Sequence, residues 1–150
     1  MENKSTVNAL NDLLQITNDR MEGFQKVEKK VMDFHPHLKE DFQEMATQSV
    51  KMKTELSSLI REKGGDPDNN TTVAGDLHRT WIDVKNALSA DKDEASLENV
   101  TFGENAAITT YEDALKSGDL DPESTAVVRN QLMNLKSSYE KFKNLANLED

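Results

Sequence analysis

The chain contains no cysteine, only three prolines, six glycines and one tryptophan, and aromatic residues make up 5% of it. Without cysteine there is no disulfide, no thiolate metal site and no cysteine nucleophile. No run approaches the roughly 18 consecutive apolar residues that a membrane span requires. The start, Met1-Glu2-Asn3-Lys4-Ser5, has no apolar stretch behind a basic residue, which predicts a cytoplasmic location without a secretory signal. Basic residues are also scarce: 18 Lys and Arg stand against 28 Asp and Glu, a formal charge of −10. That balance opposes the clustered basic face that binds phosphate backbones, and it opposes adsorption to anionic lipid. Neither nucleic acid nor membrane is therefore expected as a partner. Gly-x-Gly-x-x-Gly, Gly-x-x-x-x-Gly-Lys and Gly-x-Ser-x-Gly are all absent, which removes the common phosphate loops and the nucleophile elbow.

What remains is 150 residues, 35% hydrophobic and 31% charged, a length suited to one domain. Hydrophobic spacing predicts a long amphipathic helix over 5–33, with Leu10, Leu14, Thr17, Met21, Phe24, Glu28 and Val31 on one stripe in alternating steps of four and three. Leu13 and Val27 widen the stripe, and His35-Pro36 ends it. Pro36 opens a second helix to residue 63, aligning Leu38, Phe42, Met45, Ser49, Met52, Leu56 and Leu59, which stops at Gly64-Gly65. A shorter helix follows over 72–88, with Ala74, Leu77, Trp81, Val84 and Leu88 aligned. A helix over 93–117 aligns Leu97, Val100, Glu104, Ala107, Tyr111 and Ala114. Gly118 stops it, and Asp121-Pro122-Glu123 opens the last, over 122–146, which aligns Val128, Leu132, Leu135, Tyr139, Phe142 and Ala146. No segment alternates with period two, so no strand is expected.

The long helices measure roughly 36–43 Å at 1.5 Å per residue, matched as bundle partners should be. Very short connections make hairpins of the first two and the last two. The long connection between the hairpins returns the chain to its starting end, so the second and third long helices run parallel. The expected fold is all-α: a ferritin-like four-helix bundle with an additional short helix in the crossover, forming a single domain over 1–150.

Several local strings share a family likeness. They are Leu10-Asn11-Asp12-Leu13, Asn18-Asp19-Arg20-Met21-Glu22-Gly23-Phe24, Gly64-Gly65-Asp66-Pro67, Gly75-Asp76-Leu77-His78-Arg79-Thr80-Trp81, Gly103-Glu104-Asn105 and Tyr111-Glu112-Asp113-Ala114-Leu115. In this order, over about Ser5 to Leu145, they resemble a bacterial family of ferritin-like four-helix-bundle proteins whose function is not established. The most specific piece is Gly-x-Leu-His-Arg-x-Trp on the crossover helix. The resemblance implies the fold and a ferritin-like ancestry, and no activity. Relatives in that likeness often carry an acid where Asn105 stands, and some place a His near Tyr139. Both departures remove potential metal ligands.

A carboxylate-bridged di-iron bundle draws a Glu from each of two helices and a Glu-x-x-His from each of the others, because i, i+3 spacing sets both side chains on one inward face. No Glu in this chain has a His three residues later, and the only histidines are His35, His37 and His78. Two carboxylates, Glu28 and Glu104, nonetheless fall at inward phase. A lone buried carboxylate costs several kcal/mol unless it is paired, protonated or bound to a cation. The plain reading pairs each with a neighbouring Lys, Arg or Tyr. The sharper one makes them a degenerate divalent-metal site, with Glu22, Glu112 and His78 as further candidate ligands. His78 and Arg79 beside Trp81 form the other constellation: Trp81 plugs the crossover helix onto the bundle, and His78 or Arg79 caps a buried acid, with Glu104 a reasonable partner. A ligand pocket there is the alternative. His35-Pro36-His37 is read as an exposed corner, Gly23 and Gly103 as points of close packing, and Met21, Met45 and Met52 as core gap-fillers.

The sequence thus points to a non-enzymatic, soluble helical bundle without a cofactor, stress-associated or partner-binding, or self-associating. The rival is a metal-binding or metal-storage protein with an altered carboxylate site. If Trp81 is the plug of the crossover helix, Trp81→Ala lowers unfolding stability by about 3–5 kcal/mol in urea denaturation. A near-neutral result would mark Trp81 as exposed.

Overall fold

The apolar stripes form four long helices in the computed structural model, which describes residues 2–25, 33, 35–68, 83, 84, 86–90 and 92–148. They are α1 (Glu2–Gln25), α2 (Pro36–Glu62), α3 (Asp93–Lys116) and α4 (Pro122–Leu148). No strand occurs among the described residues, and a helical turn at 86–89 precedes α3. Glu28, His78, Arg79 and Trp81 lie outside the described residues.

Most described stripe residues are buried where the period predicts, although Ala114 of α3 and Tyr139 and Ala146 of α4 are only half-buried. All seven inward residues of α2, from Leu38 through Ser49 to Leu59, are buried, as are Leu97, Val100, Glu104, Ala107 and Tyr111 of α3. On α1 the stripe turns slightly from the expected phase: Met21 is only half-buried while Arg20 beside it is 2% exposed.

Pairings along the helices fix their directions. α1 packs chiefly on α2 and α3 on α4, and the remaining seams join α1 to α3 and α2 to α4. Phe24 meets Phe42 while Val7 lies against the far end of α2, so α1 and α2 are antiparallel. Thr6 bonds at Asp119 and Arg20 at Glu104, so α3 also runs opposite to α1. Phe42 meets Phe142 and Lys63 meets Asp121, which makes α4 antiparallel to α2. It follows that α2 and α3 run in the same direction, on a diagonal, and that the chain between them travels the length of the bundle. Phe24, Phe42 and Phe142 close one end, with ring centroids 5.3–5.9 Å apart.

The helix ends follow local chemistry. Gly64 takes φ +80°, and its N–H donates to the Arg61 carbonyl at 3.0 Å while that of Gly65 donates to Ile60 at 3.0 Å. These two bonds are the Schellman closure that a left-handed glycine permits. Gly65 is required for a different reason: a Cβ there would stand 2.6 Å from Cγ1 of Val7 and 3.1 Å from Cγ2 of Ile60. The chain that follows lies along α1. Asn11 brackets it, donating to the Asp66 carbonyl at 3.2 Å and accepting from the Asp68 N–H at 2.8 Å. Gln15 donates to the Asp68 carboxylate at 2.6 Å and Asn18 to the Asp68 carbonyl at 3.2 Å.

The corner between α1 and α2 is not the exposed turn expected. His35 is 1% exposed, while Pro36 and His37 face solvent. The His35 Nε2 lies 2.9 Å from the Leu88 carbonyl. A carbonyl can only accept, so Nε2 carries the proton, and the corner is tied to the chain that enters α3. An X-Pro corner reads as exposed because proline marks turns; the contact that buries His35 comes from a residue 53 positions away.

At the opposite end Asp121 caps α4, accepting from the Ser124 N–H at 2.8 Å, and it also pairs with Lys63. Partial burial would raise its carboxyl, but the bonds from Lys63 and Ser124 outweigh that and hold it at about 2, against an ordinary 3.8. A depressed carboxyl stabilises the fold above its unfolded value and ceases to do so as pH falls through its folded value. Asp121→Ala should therefore cost about 1 kcal/mol near neutral pH. Urea titrations of the two proteins should converge between pH 4 and about 2.

Candidate functional site

Midway along α1 four consecutive residues, Thr17, Asn18, Asp19 and Arg20, are all buried, so the helix is enclosed on every side at that height. Ordinarily one face of a bundle helix stays wet. Here the polar side chains that would face water are turned to internal bonds.

Arg20 is the centre of this layer. Its Nε donates to Oε1 of Glu104 at 2.7 Å and its Nη2 to Oε2 at 2.9 Å, a bidentate fork across the α1–α3 seam. Nη1 donates to the Ser49 hydroxyl at 3.0 Å and faces the Met52 sulfur at 3.5 Å, while Nη2 faces the Met45 sulfur at 3.4 Å. Ser49 can accept because its own proton goes to the Met45 carbonyl, 2.8 Å away. The guanidinium carbon stands 5.4 Å from the Phe24 ring centroid. Side-chain exposure is 2% for Arg20 and 1% for Glu104. Two charges so buried are tolerable only when their donors and lone pairs are occupied, and here five contacts match the five guanidinium N–H groups.

A second chain of bonds adjoins the first. The Tyr111 hydroxyl donates to Oε1 of Gln131 at 2.6 Å and lies 3.1 Å from the Thr17 hydroxyl. Gln131 in turn donates to the Met52 carbonyl at 3.2 Å and to the Glu55 carboxylate at 3.1 Å. Met52 thus belongs to both sets, its sulfur on Arg20 and its carbonyl on Gln131. Burial pushes the Tyr111 phenol well above its ordinary range, with Thr17 and Arg20 opposing the shift in part. It stays protonated and serves as a donor. Ser138, on α4 between Gln131 and Phe142, is 2% exposed, and its hydroxyl has no hydrogen-bond partner among the described residues. Since Met52 meets Gln131 and Phe42 meets Phe142, Ser138 falls at the height of Met45, within the same layer.

Of the candidate ligand and polar-site residues named from the sequence, Glu104 is the one described residue found in this layer, where the expected gap-fillers Met45 and Met52 also stand. Arg20 meets it through both carboxylate oxygens, while His78 and Arg79, the partners expected from the sequence, lie outside the described residues. Glu22 is half-buried on α1. Glu112 lies two turns along α3 from Glu104 and pairs at the surface with Lys136 at 3.6 Å. Glu22, Glu104 and Glu112 do not converge, and among the described residues no group of three or more His, Asp or Glu is placed to hold a metal ion. Arg20, Ser49, Tyr111 and Gln131 were missed as site residues. Arg20 stands three after Thr17 and four before Phe24, hence on the inward stripe, but an arginine beside Met21 reads as the edge of a solvated face. The usable signal was Glu104 itself, since an inward carboxylate calls for an inward cation.

Elsewhere, a cleft of about 400 Å³ opens between α1 and α3, bounded among others by Asn8, Asp12, Thr110, Asp113 and Asp119. None of the candidate site residues named from the sequence and none of the polar-layer residues Arg20, Ser49, Glu104, Tyr111 and Gln131 lines it.

With both oxygens of Glu104 engaged and the Tyr111 phenol protonated, neither is free to act as a base. What the layer does is hold a neutralised charge pair inside an apolar bundle. Glu104→Gln keeps the shape but leaves Arg20 charged and unpaired, and should lower stability by about 3–5 kcal/mol in urea denaturation.

Residues 5–117 match the model of a family described as a domain of unknown function, DUF2383. No curated protein and no solved structure matches the chain.

Proposed function

The chain belongs to this family of unknown function, and from that premise we propose that it is a non-enzymatic bundle of ferritin-like descent, a bacterial cytoplasmic protein that is stress-associated or partner-binding. The observation that carries the reading is the bidentate Arg20–Glu104 pair. In a carboxylate-bridged bundle two helices each contribute a Glu and the other two a Glu-x-x-His. The parallel placement of α2 and α3 supports the same connectivity here. In the polar layer of this chain α3 contributes Glu104, α1 contributes Arg20, and α2 contributes Ser49 and Met52 at i, i+3 spacing.

This donor set does not fit a divalent metal pair. The acid has a fixed cation, an arginine cannot ligate, and hydroxyl and thioether groups bind such ions weakly. On this reading the side chain of Arg20 supplies the positive charge that a metal supplies in a carboxylate-bridged site, and the bundle keeps its shape without the chemistry. Partner binding then rests on the acidic surface rather than on the interior.

The test is elemental analysis of wild-type and Glu104→Gln protein purified without affinity tag or chelator, together with melting in excess EDTA. The reading expects substoichiometric metal in both and no EDTA effect on the melt. Stoichiometric metal in the wild type that is lost in Glu104→Gln would instead establish an inter-helix metal site.

A further inference from the structure

Leu, Ile, Val and Phe make up most of the apolar core, and apolar contact has little direction. Two helical hairpins with such faces pack nearly as well after one slides by a turn along the other, or after α4 replaces α3 beside α1. Among the described residues, polar contacts that join α1 to α3 and the turn after it include three: Thr6 to the Asp119 carbonyl, Thr17 to Tyr111, and Arg20 to Glu104. Two of these use hydroxyl groups, which find substitute partners readily. The third does not. A shift of α3 by one turn, about 5.4 Å, sets Glu104 level with Thr17 or Phe24 instead of Arg20. Exchange of α3 and α4 carries Glu104 away from α1 altogether. Either arrangement leaves two buried charges unpaired, the costliest state available to this core.

We infer that the Arg20–Glu104 pair is the register lock of the bundle: it selects which helix of the second hairpin lies beside α1 and at what height. This role concerns assembly of the fold and stands whether or not the proposed function does. Buried polar groups are known to fix register and neighbour choice in helical assemblies at a cost in stability.

The experiment compares wild type, Arg20→Met, Glu104→Leu, their double variant, and the charge swap Arg20→Glu with Glu104→Arg. The chain has no cysteine, so spin labels go on by cysteine substitution alone. Asp12 with Asn105 reads the α1–α3 distance, and Asp12 with Ser137 reads α1–α4; all three positions are exposed. Each single variant is expected to melt roughly 10 °C below wild type, since each strands a charge. The double variant is expected to melt at or above wild type yet show broadened or multiple label distances. The charge swap should return to one narrow distance. A double variant with the single wild-type distance would overturn the inference, as would one that fails to fold, because the pair would then act through stability. Multiple distances in a folded charge swap would overturn it too.

Discussion

A guanidinium and a carboxylate, each almost wholly shielded from water, meet inside a bundle whose core is built mainly of aliphatic and aromatic side chains. Taking either charge out of water alone costs several kcal/mol, and their mutual attraction offsets this only if every remaining donor and acceptor is also satisfied. That requirement explains the composition of the layer around them. Ser49 stands where an aliphatic residue would otherwise fill the stripe, and its back-bond to Met45 leaves its oxygen free to accept from Arg20. Met45 and Met52 contribute polarizable sulfurs where branched side chains would turn only carbon toward the guanidinium. Phe24 presents its ring to the cation and at the same time closes the apolar end of the bundle with Phe42 and Phe142.

The same constraint spreads outward from the layer. Because Met52 holds Arg20 with its sulfur and Gln131 with its carbonyl, the ion pair is continuous with the Tyr111–Gln131–Glu55 chain, and side chains from all four helices join one polar level. Such a level has directional preferences that Leu and Val lack. The chain after α2 is bound to α1 by similar means, through the side-chain amides of Asn11, Gln15 and Asn18. The glycine pair before it serves two needs at once, a positive φ at Gly64 and room for Val7 at Gly65. The start of the long crossover is therefore fastened to the first helix, and its end, through Leu88, to the corner at His35.

For function, the layer changes the question that an inward glutamate raises. A buried carboxylate in a four-helix bundle invites a search for metal, yet an arginine held against both its oxygens already answers the electrostatic demand. Membership of a family of unknown function adds kinship over residues 5–117 without adding chemistry. Under the proposed reading the interior is structural, and whatever the protein recognises meets its acidic exterior.

Among the described residues, the four long helices, most of their inward stripes, and the ends at Gly64, Pro36 and Asp121-Pro122 were legible in the sequence because they arise from local rules: a 3.6-residue period, glycine at a left-handed turn, proline and aspartate at a helix start. Glu104 was legible too, as an acid at inward phase. The parallel course of the second and third long helices followed from the short hairpin connections and the one long crossover, which leave few ways to return the chain. The identity of Glu104's partner was not legible, because Arg20 lies 84 residues away and nothing local distinguishes it from an arginine at the edge of a wet face. The same holds for Tyr111 with Gln131, for Ser49, and for the burial of His35 under Leu88. Periodicity states which way a side chain points from its own helix. Only the packing of helix on helix decides what it meets there, since direction is a property of a few neighbouring residues and contact is a property of the whole chain.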